Sequence, residues 1–209
     1  MREIIIKKPV QQRSKAKFEA ILQACPRVLH VMGYAKTTAA RLAVEADVGI
    51  GTLYDYFSCK EAVFVAYLDH QLEQALREVA YGALYSRREV LPTLQALVGV
   101  GIDFALHEKE VIRAMVLHEP GMLFRIDFSG SRDRIAQLAR DFARNKGVAG
   151  RVNTSPLLLY TLENLIFGFQ LRLVMVPDEK INRDEIVEEL TQLVFSYLFR
   201  QKHAGEDVA

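Results

Sequence analysis

The sequence predicts an all-α protein of about nine helices, in which an N-terminal group of three helices precedes a larger helical part. Helical hydrophobic periods run through almost the whole 209-residue chain, whereas the alternating pattern of strands is nearly absent. Helix-breaking residues interrupt these periods at 33, 86, 120–121, 147–156 and 177–182. The breaks delimit predicted helices at 11–32, 37–45, 49–57, 60–85, 88–107, 109–118, 122–146, 156–176 and 183–202.

The first predicted helix contains Pro26, which lacks the N–H that would bond to the Leu22 carbonyl, so this helix should bend there. The second predicted helix starts at Thr37 or Thr38, because either hydroxyl can cap its N-terminus. It ends at Asp47, since aspartate tolerates the left-handed conformation that a C-terminal cap needs. Its inner face comprises Ala39, Leu42, Ala43 and Ala46.

The third predicted helix has two distinct sides. Leu53 and Phe57 point inward, while Gly51, Tyr54 and Asp55 fall together on the outer side. A glycine inside a helix lowers helix stability by about 1 kcal/mol relative to alanine. The glycines at the start of this helix therefore either relax the turn or allow a close approach to phosphates. Two short helices joined by a tight turn, the second with hydroxyl groups outward, are typical of a helix-turn-helix that docks on DNA.

The segment 33–64 resembles the DNA-binding signature of the TetR family of one-component transcriptional regulators. The resemblance covers about the first third of the chain and implies a helix-turn-helix domain, followed by a larger helical ligand-binding and dimerisation domain. Asp47, Gly49 and Ile50 depart from the family pattern, so we expect base contacts near the start of the recognition helix to be apolar. The matching positions are Gly33, Tyr34, Thr37, Thr38, Ala43, Ala46, Val48, Gly51, Leu53, Tyr54, Tyr56, Phe57, Lys60 and Glu61.

We expect the DNA contacts to come from the second and third helices and from the start of the fourth. Threonine hydroxyls, tyrosine phenols and a lysine ammonium are suitable donors to phosphate oxygens. The predicted DNA-binding residues are Thr37, Thr38, Gly49, Ile50, Gly51, Thr52, Tyr54, Asp55, Tyr56 and Lys60.

Charge is distributed unevenly along the chain. Residues 1–60 carry ten Lys or Arg and five Asp or Glu, a net charge of +5, which leaves −4 for the rest of a chain whose total is +1. A basic N-terminal segment suits a domain that neutralises phosphates, although a charge run is often only a solvated face. We expect residues 1–13 to form a flexible basic arm that becomes ordered only on DNA.

Cysteine usage and hydropathy indicate a cytoplasmic protein with reduced thiols and no metal or cofactor. Cys25 and Cys59 form neither a metal-ligand spacing nor a disulfide framework. The three isoleucines near the N-terminus are too few for a signal peptide. The most apolar segment, 157–176, is interrupted by polar and charged residues, so no membrane span is predicted.

The last two predicted helices indicate a homodimer. The helix 156–176 is apolar almost all round, and the apolar stripe of the last helix is wider than one face. One monomer core cannot easily cover both surfaces, although a large buried core is the alternative. The TetR resemblance implies that these two helices pair across a two-fold axis. The predicted dimer-interface residues are Ile186, Leu190, Leu193 and Tyr197.

Aromatic and sulfur side chains between the fourth and eighth helices can line an apolar cavity, although such residues usually form an ordinary core. Polar residues beside them need a partner, a water or a ligand. We therefore expect an apolar or amphipathic effector with an anionic or carbonyl head near Arg125 or His118. The predicted effector-binding residues are Phe104, His107, Met115, His118, Phe124, Arg125, Phe128, Tyr160, Asn164 and Phe167.

These observations predict a TetR-like repressor that binds a palindromic operator as a dimer and is released by a small molecule. The predicted domains are 1–60 for the arm and helix-turn-helix and 61–203 for effector binding and dimerisation, with a disordered tail at 204–209. The alternatives are a DNA-bridging architectural protein without an effector and an all-helical enzyme. No HExxH motif, P-loop or G-x-S-x-G elbow occurs, so no enzymatic function is predicted.

Overall fold

The computed structural model describes residues 4–85, 90–120, 155–177 and 182–199, with single residues at 137, 140, 141, 144, 147 and 180; of 78–85 it describes the backbone. This part of the chain is helical apart from one isolated antiparallel bridge, which confirms the predicted fold class. Most of the predicted helix 122–146 and the tail 204–209 lie outside the described residues. The helices are α1 (Gln12–Met32), α2 (Ala39–Glu45), α3 (Ile50–Tyr56), α4 (Lys60–Tyr85), α5 (Val90–His107), α6 (Lys109–His118), α7 (Pro156–Met175) and α8 (Arg183–Leu198), with a 3-10 turn at Tyr34–Lys36.

The chain divides into two compact units. The first unit comprises residues 1–71 and 108–127, and the second comprises 72–107 and 128–209. Helix α4 therefore begins in the first unit and ends in the second, while α5 and α6 belong to different units. Whether residues 1–60 form an independent domain stays a prediction.

The core of the first unit forms where α1, α2, α3 and the start of α4 meet. Helix α1 continues through Pro26 and turns one apolar face toward its neighbours. Full burial of each large aliphatic or aromatic side chain contributes about 1.5–3 kcal/mol. The inward orientation predicted for Leu42, Leu53 and Phe57 is confirmed, since all three side chains are completely buried. The other core residues include Ile21, Leu22, Cys25, Val28, Ala43, Ala46, Val63 and Phe64.

Local signals set the two ends of α2. The Thr38 hydroxyl accepts a hydrogen bond from the Arg41 amide at 3.2 Å, so Thr38 is the cap. After the helix, Asp47 adopts a φ of +52°, which is the left-handed conformation predicted at this position. Helix α3 begins three residues later and packs against α2.

Residues 5–8 form an extended segment, which we call the strap, and it is paired with the end of α3. Ile6 forms an antiparallel bridge with Phe57, and the Lys7 amide donates to the Tyr56 carbonyl oxygen at 2.9 Å. The Ser58 amide donates to the Ile5 carbonyl oxygen at 3.1 Å, and the Ile5 amide donates to the Ser58 hydroxyl at 2.9 Å. The predicted flexible arm is therefore wrong for residues 5–8, because their backbone groups find fixed partners without DNA.

In the second unit, α5, α7 and α8 share one hydrophobic core. Its buried members come mainly from one face of α5 and one face of α8, with Leu162 from α7. Helices α5 and α7 are long and apolar enough to cross a membrane by length and composition alone, a property that core helices of soluble proteins share. The core comprises Leu94, Val98, Ile102, Leu162, Ile186, Val187, Leu190, Val194 and Leu198.

Polar contacts fix how α5, α7 and α8 meet. The Arg183 guanidinium at the start of α8 donates two hydrogen bonds to the Asp103 carboxylate of α5, at 2.7 and 2.6 Å. These bonds lower the pKa of Asp103, because they favour its charged form. The Gln170 amide of α7 donates to the Gly101 carbonyl oxygen of α5 at 2.8 Å. Each helix of the core is therefore tied to α5 by at least one side-chain hydrogen bond.

Candidate nucleic-acid interface

Helix α3 presents a bare, exposed surface beside its N-terminus. Gly49, Ile50 and Gly51 are exposed, and a Cβ atom added to Gly51 would meet no heavy atom within 4 Å. The nearest atom to a Cβ added at Gly49 would be the Thr52 hydroxyl at 3.9 Å, and Gly49 has an ordinary φ of −64°. Neither packing nor backbone conformation therefore requires these glycines, so their bare backbone is best suited to close approach by an external surface.

The two tyrosines of α3 differ in their surroundings. Tyr54 is 55% exposed on the same outward side as Asp55. Tyr56 is half-buried, and its ring meets the Phe18 ring edge-on with centroids 5.7 Å apart. The Tyr54 phenol is thus free to meet a phosphate, whereas the Tyr56 ring also helps to pack α3 against α1. Thr52 is half-buried on the same short helix.

Only one of the two adjacent threonines faces outward. Thr37 is 1% exposed, and its hydroxyl donates to the Gly33 carbonyl oxygen at 2.9 Å. Thr38 is exposed at the N-terminus of α2. Both have extended backbones, so their side chains point in opposite directions. The Thr37 hydroxyl holds the preceding turn, and the contribution of the two threonines to DNA binding stays a prediction.

Lys60 at the start of α4 has an internal partner. Its ammonium donates to the Tyr34 carbonyl oxygen at 3.1 Å and lies 4.1 Å from the centre of the Tyr34 ring. The Tyr34 ring packs 5.2 Å from Phe64 and stacks on His118 at 5.1 Å. Burial raises the pKa of the Tyr34 phenol, so it stays neutral at physiological pH. A role for Lys60 in phosphate binding would use its remaining ammonium protons.

The basic residues of the first unit are not equally available. Arg27 pairs with Glu45 at 2.6 Å, and Lys8 pairs with Asp69 at 3.2 Å. Arg41 is exposed on α2, three residues after the Thr38 cap, and forms no ion pair within the described ranges. Arg41 is absent from the predicted DNA-binding residues, although its position in the first turn after the cap could have indicated a phosphate contact. It is a further candidate for phosphate binding.

All four predicted dimer-interface residues line a groove between α7 and α8. Ile186 and Leu190 are at the same time buried members of the second unit's own core, and Leu193 packs partly buried against that core. Tyr197 is 40% exposed. Their role in a dimer stays a prediction, because a broad apolar stripe contains both core and surface positions and its periodicity does not separate them. The same groove is lined by Leu165, Gly168, Phe169 and Arg172 of α7.

The predicted effector-binding residues are divided between the two units, and their role stays a prediction. Met115 and His118 belong to the first unit, where Met115 is fully buried and His118 is exposed on one side. In the second unit, Phe104 and Phe167 are half-buried, while His107 is exposed. Phe124, Arg125 and Phe128 lie outside the described residues.

Tyr160 and Asn164 are exposed on α7, and their place in an effector site stays a prediction. Tyr160 is 57% exposed, and the Asn164 amide donates to the Tyr160 carbonyl oxygen one turn earlier, at 2.8 Å. Leu157, Leu165 and Phe169 are exposed on the same helix. Because α7 is apolar almost all round, the sequence does not indicate which side faces the core.

Comparisons with known proteins agree with the helix-turn-helix. Residues 21–67 match the family model of bacterial regulatory proteins of the tetR family, which confirms the resemblance of this segment. No protein of curated function matches the chain by sequence. Within the described residues, no group of three or more His, Cys, Asp or Glu side chains gathers as a metal site would require.

Solved structures share the fold over most of the chain. FadR from Thermus thermophilus, a TetR family transcriptional repressor in complex with lauroyl-CoA, is 24% identical with a TM-score of 0.66, covering 91% of this chain and all 100% of that one. The fatty acid degradation regulator FadR from Bacillus halodurans is 19% identical with a TM-score of 0.61, covering 90% and 96%. A TetR-family regulator from Syntrophomonas wolfei is 16% identical with a TM-score of 0.63, covering 91% and 99%.

Proposed function

We propose that this TetR-like regulator is a repressor that binds a palindromic operator as a homodimer and releases it when an apolar or amphipathic small molecule binds. The observation that carries the DNA-binding part is the bare face of α3, where Gly49 and Gly51 are exposed and no internal contact requires glycine. Thr38 at the start of α2 and Tyr54 on α3 are also exposed and carry hydroxyl groups. Phosphates and base edges of a major groove are the partners that such a surface suits.

The dimer is supported by the apolar groove between α7 and α8. Leu157 and Tyr160 of α7 are further exposed apolar side chains outside the groove, and a soluble monomer rarely leaves a large apolar surface uncovered. A two-fold axis through this face would bring a second copy of the same groove against it. The two recognition helices would then enter successive major grooves, which requires a separation of roughly 34–36 Å or a multiple of a helical turn.

Release by an effector follows from the continuity of α4. This helix begins at Lys60, four residues after α3 ends at Tyr56, and runs unbroken to Tyr85. An effector that favours one position of α4 over another would change the spacing of the recognition helices and lower the affinity for DNA. The effector class is supported by apolar and aromatic side chains in the second unit, among them Phe104 and Phe167. The Thermus thermophilus neighbour with lauroyl-CoA makes acyl-CoA thioesters natural members of a ligand panel.

Selection of bound fragments from random DNA tests the proposal against the two alternatives. The purified wild-type protein should enrich one palindromic sequence strongly. A Gly51→Glu variant places a negative charge on the bare face without a clash and should lose this enrichment. Val31→Glu adds the same charge to an exposed position on α1 and should retain it. Equal binding to all fragments would favour a DNA-bridging protein, and no DNA binding would refute the regulator and leave an enzyme open.

A ligand panel tests the effector part separately. Fatty acids, acyl-CoA thioesters, aromatic acids and cationic dyes should be compared for thermal stabilisation and for release of the selected DNA. A true effector would do both, since it must bind the two conformations with different affinities. His118→Ala and Arg125→Ala should lower the affinity for such an effector if these side chains bind its polar head. Unchanged affinity in both variants would refute that assignment.

A further inference from the structure

The strap at residues 5–8 is an ordered part of the recognition unit. Three hydrogen bonds and one ion pair hold it. Two of the hydrogen bonds come from its backbone N–H groups and one goes to the Ile5 carbonyl oxygen, while the Lys8 ammonium forms the ion pair. The Tyr56 carbonyl that accepts from Lys7 is one of the last carbonyls of α3, which has no continuing helix to bond it. The strap therefore supplies the C-terminus of the recognition helix with a partner from a distant part of the sequence.

The two lysines of the strap have different surroundings. In an extended segment successive side chains point to opposite faces, so Lys7 lies on the face opposite to Ile6 and Lys8. Lys8 reaches Asp69 on α4 at 3.2 Å, while Ile6 is half-buried beside Phe57. Lys7 is exposed and forms no ion pair within the described ranges. Its backbone nevertheless is fixed directly beside the last residue of α3.

We propose that the strap has two roles in DNA binding: its backbone braces the C-terminal end of α3, and the Lys7 ammonium neutralises one further phosphate per subunit. This inference rests on the proposed DNA-binding function, to which it adds a residue and a bracing segment. Because the strap is already fixed to the end of the recognition helix, binding DNA through Lys7 costs little conformational entropy. A lysine on a disordered arm would bind less favourably, since the whole segment would lose conformational entropy on binding.

The salt dependence of binding to a mixed-sequence DNA duplex tests the phosphate contact. The negative slope of log K against log salt becomes less steep by about 0.9 for each phosphate contact removed. Lys7→Ala should therefore reduce its magnitude by about one unit per subunit. Lys8→Ala removes the same charge from the same segment and should leave the slope near that of the wild type, because Lys8 is paired with Asp69. An unchanged slope in Lys7→Ala, or an equal fall in both variants, would overturn the assignment of Lys7.

Amide hydrogen exchange tests the brace without DNA. Lys7→Pro removes the N–H that bonds to the Tyr56 carbonyl but suits an extended backbone, whereas Lys7→Ala keeps that N–H. The Ser58 amide should exchange faster in Lys7→Pro than in Lys7→Ala, and affinity for the duplex should fall several-fold further. Equal exchange of Ser58 in the two variants would overturn the brace. A wild type that binds no DNA would refute the proposed function and the Lys7 contact, while the exchange result would still decide the brace.

Discussion

The Lys60 ammonium joins the start of α4 to Tyr34 by two contacts, a hydrogen bond of 3.1 Å to the Tyr34 carbonyl oxygen and a distance of 4.1 Å to the centre of the Tyr34 ring. Tyr34 itself lies in the turn between α1 and α2. One side chain therefore links the segment before the helix-turn-helix with the helix that follows it. The recognition helix α3 lies between the two ends of this link in the sequence.

Replacing Lys60 with methionine should affect both stability and DNA binding. Lys60→Met keeps the apolar stem but loses the ammonium, so the free energy of unfolding should fall by about 1 kcal/mol, a value typical of one hydrogen bond with a partly exposed cation–π contact. If the ammonium also contacts a phosphate, the salt slope should fall by about one unit per subunit. Denaturant unfolding and salt titration measure the two effects. Lower stability with an unchanged slope would leave Lys60 with its internal role alone.

The phenol of Tyr34 should be dispensable. The Tyr34 ring is buried, and its hydroxyl has no hydrogen-bond partner in the part of the chain that the structure describes. A buried hydroxyl without a partner loses its bonds to water on folding, so Tyr34→Phe should leave the free energy of unfolding unchanged or raise it by about 1 kcal/mol. Urea denaturation measures the change. A loss of stability above that size would mean that an ordered water or another group satisfies the hydroxyl.

Tyr54→Phe should weaken DNA binding without destabilising the protein. Tyr54 is exposed, so loss of its hydroxyl removes no internal contact, while a hydrogen bond to a charged phosphate contributes about 1.5 kcal/mol, or about tenfold in affinity. Tyr56→Phe is the comparison, because the half-buried Tyr56 ring packs against Phe18. Fluorescence anisotropy with the selected DNA gives both affinities. Wild-type affinity in Tyr54→Phe would assign Tyr54 to packing alone.

A charge in the groove between α7 and α8 should dissociate the dimer. Tyr197→Glu places a carboxylate on the exposed side of α8, and two-fold symmetry would bury it twice. Val44→Glu adds the same charge to an exposed position of the first unit and should stay dimeric. Light scattering distinguishes the two results. A Tyr197→Glu protein that remains fully dimeric would place the interface elsewhere.

The pair between Asp103 and Arg183 should make stability depend on acid pH. Because the Arg183 hydrogen bonds lower the pKa of Asp103 below its ordinary 3.8, the pair stabilises the fold above that pH and is lost as the pH falls through the lowered value. Both side chains are partly exposed, so Asp103→Asn should cost at most about 1 kcal/mol at pH 7. The difference from wild type should vanish in strong acid. A constant difference across the pH range would contradict this origin.

Local features of the fold could be predicted because they depend on neighbours in the sequence. Helical periods gave the limits of α1 to α6 to within a few residues, and the inward positions of Leu53 and Phe57 follow from their spacing. The left-handed conformation of Asp47 follows from its residue type and its place after an amphipathic helix. The exposed position of Tyr54 follows from the same helical geometry.

Contacts between distant residues were decided only by the tertiary structure. The docked strap and the internal partner of Lys60 each depend on a backbone group that comes from a distant element. In α7 the sequence could not even indicate the inner face, because a helix that is apolar all round has no preferred side until its neighbours are in place. Amphipathic periodicity therefore determined which faces of the N-terminal helices are buried, while burial on α7 and α8 was determined by which helices meet them.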